Sequence, residues 1–132
     1  MSIELWALFC ALLAYWLALF VQVVAIDRLA GTAYALSNRT ADAHPAVERI
    51  HRAIRNQVEG LVLLAGLVGV ATATHVTNAW TQYAAMGFVA VKTVHFICYA
   101  AGVTHVRSAM WAASFFIATP AFVYGIVSGL AP

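Results

Sequence analysis

Charge is what this sequence has least of. Seven lysines and arginines and five aspartates and glutamates make up 9% of its 132 residues, whereas a soluble domain carries about 25%. That leaves too few charges to wet a globular exterior, and with 64% hydrophobic residues the chain belongs in a lipid bilayer. The net charge of +2 is modest. Because the basic residues gather around one loop, they read as membrane topology and not as a nucleic-acid-binding surface, so no nucleic-acid partner is expected.

Cysteine is nearly as scarce. Cys10 and Cys98 both sit inside apolar runs and form no CxxC, so they read as packing residues. No set of His, Cys or carboxylate residues has metal-ligand spacing, and no metal site is expected. A glycine-rich phosphate loop and a G-x-S-x-G elbow are also missing. The opening MSIELWALFCALLAYWLALF has Glu4 in place of a basic leader, and no small-residue cleavage site precedes Asp27. It reads as a retained first span.

What is present is apolar runs of membrane-crossing length. They cover residues 5–26, a second element over 45–75 whose apolar part begins at Gly60, a third over 79–101 and a fourth over 108–130. Pro45 suits the first turn of the second helix, approached through Asp42, Ala43 and His44. Pro120 falls inside the fourth span, where a proline is tolerated as a kink. The fold class is therefore all-α, an integral membrane four-helix bundle in one domain over 1–132. Small residues such as Gly66, Gly69 and Ala73 on the second helix allow close helix approach. Arg28, Arg39, Arg49, Arg52 and Arg55 surround the first loop, Arg107 lies in the third, and the second has no basic residue. The positive-inside rule makes the first and third loops cytoplasmic and puts both termini on the far side.

The polar passage ERIHRAIRNQVEG, residues 48–60, runs directly into the second apolar stretch. At 100° per residue Arg49, Arg52, Asn56 and Glu59 fall within an arc of about 80°. Lys92, His95 and Tyr99 share a second arc of about 60° on the third helix, toward the same membrane side. Arg107 and Ser108 open the fourth span there too. The plain reading of the arginines is a solvated helix end, with side chains snorkelling to headgroups and Glu48 pairing with Arg52. Asn56 and Glu59 lie deeper, where a polar group needs a partner or a ligand. Guanidiniums clamp carboxylates bidentately, Glu59 can receive an ammonium, and Asn56 offers both donor and acceptor. A small zwitterionic peptide with excess carboxylate fits that inventory.

The pattern ER-x-x-RA-x-x-N-x-x-E in VERIHRAIRNQVE, with ALSNRT before it and HFICYAAGVTHVRS after the third helix, resembles the membrane-associated proteins in eicosanoid and glutathione metabolism (MAPEG), in particular the bacterial members. The resemblance implies a homotrimer in the bacterial inner membrane that holds glutathione as co-substrate between neighbouring subunits. It implies that Arg52, Arg55, Asn56, Glu59, His95 and Tyr99 bind glutathione, that Arg28 reaches a neighbour's site, and that Arg107 or Ser108 activates the thiol. Departures from the family pattern are Gly60-Leu61-Val62 where many members have a proline, Lys92 where arginine is common, and Trp111 where one branch has tyrosine. The implied function is a glutathione-dependent transferase or peroxidase acting on lipophilic electrophiles or lipid hydroperoxides, with isomerisation a further possibility within the same chemistry. The alternative is a non-catalytic scaffold or small transporter whose polar residues join helices.

Overall fold

The computed structural model describes residues 1–37 and 44–131. Arg39, Asp42 and Ala43 lie outside the described residues. Helix α1 (Ile3–Leu29) is followed by a short α2 (Thr32–Leu36), then α3 (Pro45–Ala73) and α4 (Ala79–Ala101). The fourth span, Thr104–Leu130, is composite: α5 (Thr104–Ala113), a π-helical turn (Ser114–Ala118) and α6 (Thr119–Leu130). Among the described residues, four helices are thus long and apolar enough to cross a membrane.

Each boundary has a local cause. Ser2 caps α1 by accepting from the Leu5 N–H, and His44 caps α3 by accepting from the Ala46 N–H, with Pro45 in the first turn. Asn78 and Thr81 form a reciprocal capping box that starts α4. The end of α3 is a Schellman turn, with Val76 N–H donating to the Ala71 carbonyl at 2.9 Å and His75 at φ +56°. The fourth span begins at Thr104, earlier than the expected 108, because Gly102 closes α4 and Val103 already caps the next helix. Pro120 acts through the turn that precedes it. Proline has no N–H to offer the carbonyl four residues back, and the helix widens there: the Thr119 N–H and Oγ1 both donate to the Ser114 carbonyl, the latter at 2.8 Å.

Helix α4 is central and touches α1, α3, α5 and α6. The main core joins Leu64, Val68, Ala85, Phe88, Phe122 and Ile126, and a smaller cluster of Ala18, Ile50 and Ile54 underlies the polar end of α3. Much of the exterior is apolar as well. Trp16 is 63% exposed, Val62 67% and Ile117 68%, an aggregation surface in water but a compatible one in hydrocarbon. The chain is an all-α integral membrane bundle. Gly66 and Gly69 face open space on the outer side of α3, so the close approach they permit is to something beyond this chain.

Candidate functional site

The site begins where α4 ends. Gly102, at φ +81°, lets Val103 N–H donate to the Cys98 carbonyl at 2.8 Å and Gly102 N–H to the Tyr99 carbonyl at 3.1 Å. The chain reverses within this turn and α5 starts back beside α4. Arg49 of α3 braces the turn, its Nε 3.5 Å from where a Gly102 Cβ would stand. As a result the Arg107 guanidinium lies over the Tyr99 ring, 4.7 Å from its centroid, a cation–π contact. His95 packs edge-on against the same ring, with centroids 5.6 Å apart.

These groups line a cavity of about 250 Å³ bounded by Asn56, His95, Tyr99, Arg107, Ser108 and Trp111. A second cavity, of about 260 Å³, adjoins it and shares Asn56 and Trp111. Its walls mix Glu59 and Lys92 with Leu63, Phe88 and Phe115, and the π turn contributes Ser114 and Phe115. Together the two fall within the size range of small-molecule sites, about 300–1,000 Å³. One half is polar and cationic; the other is largely apolar.

Lys92 joins the halves. It is only 6% exposed, and its Nζ donates to the Asn56 Oδ1 at 2.6 Å and to the Asn56 backbone carbonyl at 3.0 Å. With one Oδ1 lone pair engaged by Lys92, Asn56 keeps its amide N–H pair and a second lone pair to offer a ligand. Gly60 makes room for this path: a Cβ there would stand 2.4 Å from Lys92 Cε. His95 is 2% exposed, and its Nδ1 is enclosed without a hydrogen-bond partner among the described residues. That leaves a buried polar atom without a partner in a residue that lines the cavity. The Ser108 hydroxyl donates to the Thr104 carbonyl at 3.1 Å, so Arg107, held by its cation–π contact, is the one of the pair whose N–H groups are left to donate.

Arg28, Arg52 and Arg55 are exposed and line neither cavity. Arg52 instead meets Glu48 at 3.4 Å, with both side chains more than half exposed. An exposed pair one helical turn apart contributes about 0.3–0.5 kcal/mol, against about 1.5–3 kcal/mol for a hydrogen bond to a charged group. A ligand carboxylate would outcompete it. Among the described residues no group of three or more His, Cys, Asp or Glu is arranged to hold a metal.

A family model described as MAPEG family matches residues 3–127. The chain belongs to the MAPEG family. No curated protein and no solved structure matches it significantly. Within this MAPEG chain, sequence reasoning passed over the apolar wall built by Leu63, Phe88, Phe115 and Thr119. Phe88 and Lys92 lie four residues apart, as do Phe115 and Thr119, so each pair shares a helix face. The signal existed as spacing, but in a chain that is apolar all round nothing marks one apolar face from another.

Proposed function

We propose that this MAPEG chain is a membrane-embedded glutathione-dependent transferase or peroxidase acting on lipophilic electrophiles or lipid hydroperoxides. The observation that carries the reading is the junction of a cationic, polar cavity with an apolar one at Asn56 and Trp111. A charged thiol peptide suits the first, its ammonium extending to Glu59 at the mouth of the second, and the Leu63, Phe88 and Phe115 wall of the second suits a lipid-derived electrophile. A free thiol ionises near pH 8.5 and the thiolate is the nucleophile. Arg107, poised over Tyr99, would favour the thiolate, and each unit of thiol pKa lowering is worth about 1.4 kcal/mol. In conjugation the sulfur bonds to the electrophilic carbon, and the displaced electron pair leaves on the departing group. In peroxide reduction the sulfur takes the terminal oxygen, the O–O bond breaks and the alkoxide is protonated to an alcohol. A second glutathione then returns the oxidised sulfur to a disulfide with release of water.

The assembly proposed is a homotrimer with glutathione shared between neighbours. Arg28, Arg52 and Arg55 lie outside the cavities of one chain and contribute only if the ligand reaches across a subunit boundary. The bacterial inner membrane, with the first and third loops cytoplasmic, is the setting implied by the arginine distribution and the family. A second reading, a scaffold or small transporter, draws support from the Lys92–Asn56 bond, a polar contact whose immediate effect is to join helices. Calorimetric titration of glutathione into the detergent-purified protein, followed by turnover with a generic electrophile, separates the two. A scaffold gives neither heat nor product.

A further inference from the structure

At the end of the bundle away from the two cavities, Glu4 is 2% exposed. Its Oε1 accepts from Thr77 Oγ1 at 2.8 Å and from Thr81 Oγ1 at 2.6 Å, tying α1 to the α3–α4 connection. Its Oε2 is enclosed and has no hydrogen-bond partner among the described residues. An ionised carboxylate is acceptor-only, and a buried lone pair with no donor is strongly unfavourable. Glu4 lines a cavity of about 220 Å³ whose walls include Ser2, Leu5, Thr72, His75 and Thr77 but no lysine or arginine. The site thus has a buried acceptor with no well-formed hydrogen bond among the described residues, the Ser2 hydroxyl interacting only weakly with the carboxylate, beside a space large enough for a small molecule.

We propose that this cavity binds a primary ammonium group, with Glu4 accepting its N–H and Thr72 and His75 left to meet an attached phosphate. A bare metal ion fits poorly: the volume is many times that of an ion, and one carboxylate with a few hydroxyls falls short of an oxygen cage. A quaternary ammonium fails as well, because it has no N–H for Oε2. Trp6, Trp80 and Tyr83, 53%, 55% and 72% exposed, belong to the same end of the bundle, and exposed aromatics of this kind mark the headgroup level of a bilayer. An ethanolamine phospholipid headgroup supplies the ammonium and phosphate at that depth. The inference does not depend on glutathione binding.

The test is lipid retention by the intact protein, measured by native mass spectrometry after exposure to equal amounts of ethanolamine and choline phospholipids with the same acyl chains. The wild type should prefer the ethanolamine lipid. Glu4→Gln should reduce that preference by about ten- to a hundredfold, the equivalent of one lost hydrogen bond to a charged group. Thr72→Leu fills the exposed wall while leaving the Glu4–threonine bonds intact, and it decides alone if Glu4→Gln does not fold. O-phosphoethanolamine added to lipid-free protein identifies the source: a rise in melting temperature in the wild type but not in Glu4→Gln shows that the free amine suffices, and a response to the lipid alone assigns the site to the headgroup. Equal retention of both lipids by the wild type, or an unchanged preference in the folded variants, overturns the proposal.

Discussion

The Lys92 ammonium reaches across the α3–α4 interface to the Asn56 amide oxygen at 2.6 Å, passing over Gly60, where a Cβ would come within 2.4 Å of Lys92 Cε. Glycine inside a helix costs about 1 kcal/mol relative to alanine, so its presence in α3 is accounted for by the path of the lysine. Gly60→Ala should gain that helical propensity but dislodge the ammonium, losing about 1.5–3 kcal/mol of charged hydrogen bonding. Net destabilisation by thermal melting is the expected result. In a Lys92→Ala background, which removes both Cε and the ammonium, the same substitution should become neutral or stabilising. Additive effects across this double-mutant cycle would mean that the two residues do not act together.

Arg107→Ala addresses the thiol. Glutathione affinity should fall only modestly while turnover drops about tenfold for each 1.4 kcal/mol of lost thiolate stabilisation. Ultraviolet difference absorbance against pH reads the bound thiol directly, and its pKa should return toward the free value in the variant. Ser108→Ala should produce the smaller change, since its hydroxyl donates to the Thr104 carbonyl. A variant lacking Arg107 that kept both the low thiol pKa and the rate would move the activating role elsewhere.

Glu59→Gln keeps the shape of the cavity wall and removes its negative charge. If Glu59 receives the ligand's ammonium, glutathione binding should weaken by about 1.5–3 kcal/mol. Calorimetry on the assembled protein measures this, with a melting curve as the control for folding. Unchanged affinity would assign Glu59 to balancing Lys92 instead.

The shared site is tested by mass. Native mass spectrometry in detergent should give a trimer, and Arg55→Ala should weaken glutathione binding although Arg55 lines neither of the two cavities. A monodisperse monomer that binds glutathione at full affinity would contradict a site between subunits.

The four spans were legible because apolar length is a local property of sequence, and Asn56, His95, Tyr99, Arg107 and Ser108 were legible because polar residues stand out against an apolar background. Contacts between helices were not. Lys92 read as one more member of a stripe, yet its ammonium is already held by Asn56. Arg49 read as a headgroup anchor, but it is half-buried against the Gly102 turn. Glu4 stood out only as an acidic residue where a leader would be basic, because its threonine partners lie more than seventy positions away. Pro120 signalled a disturbance, but periodicity carries no information about whether a helix bends or widens.

The π-helical turn has a consequence for how Arg107 faces the site. A π turn takes an extra residue into one turn of an otherwise regular helix, and one residue corresponds to about 100° of rotation. Helix α5 is therefore out of angular phase with α6, although the two form a single span. Removing one residue from Ser114–Ala118 would restore an unbroken α-helix and leave the packing of Phe122 and Ile126 intact. The same deletion would swing Arg107, Ser108 and Trp111 together around the helix axis and away from Asn56. The angular setting of the Arg107 end of the span is thus held by a single surplus residue about two turns away.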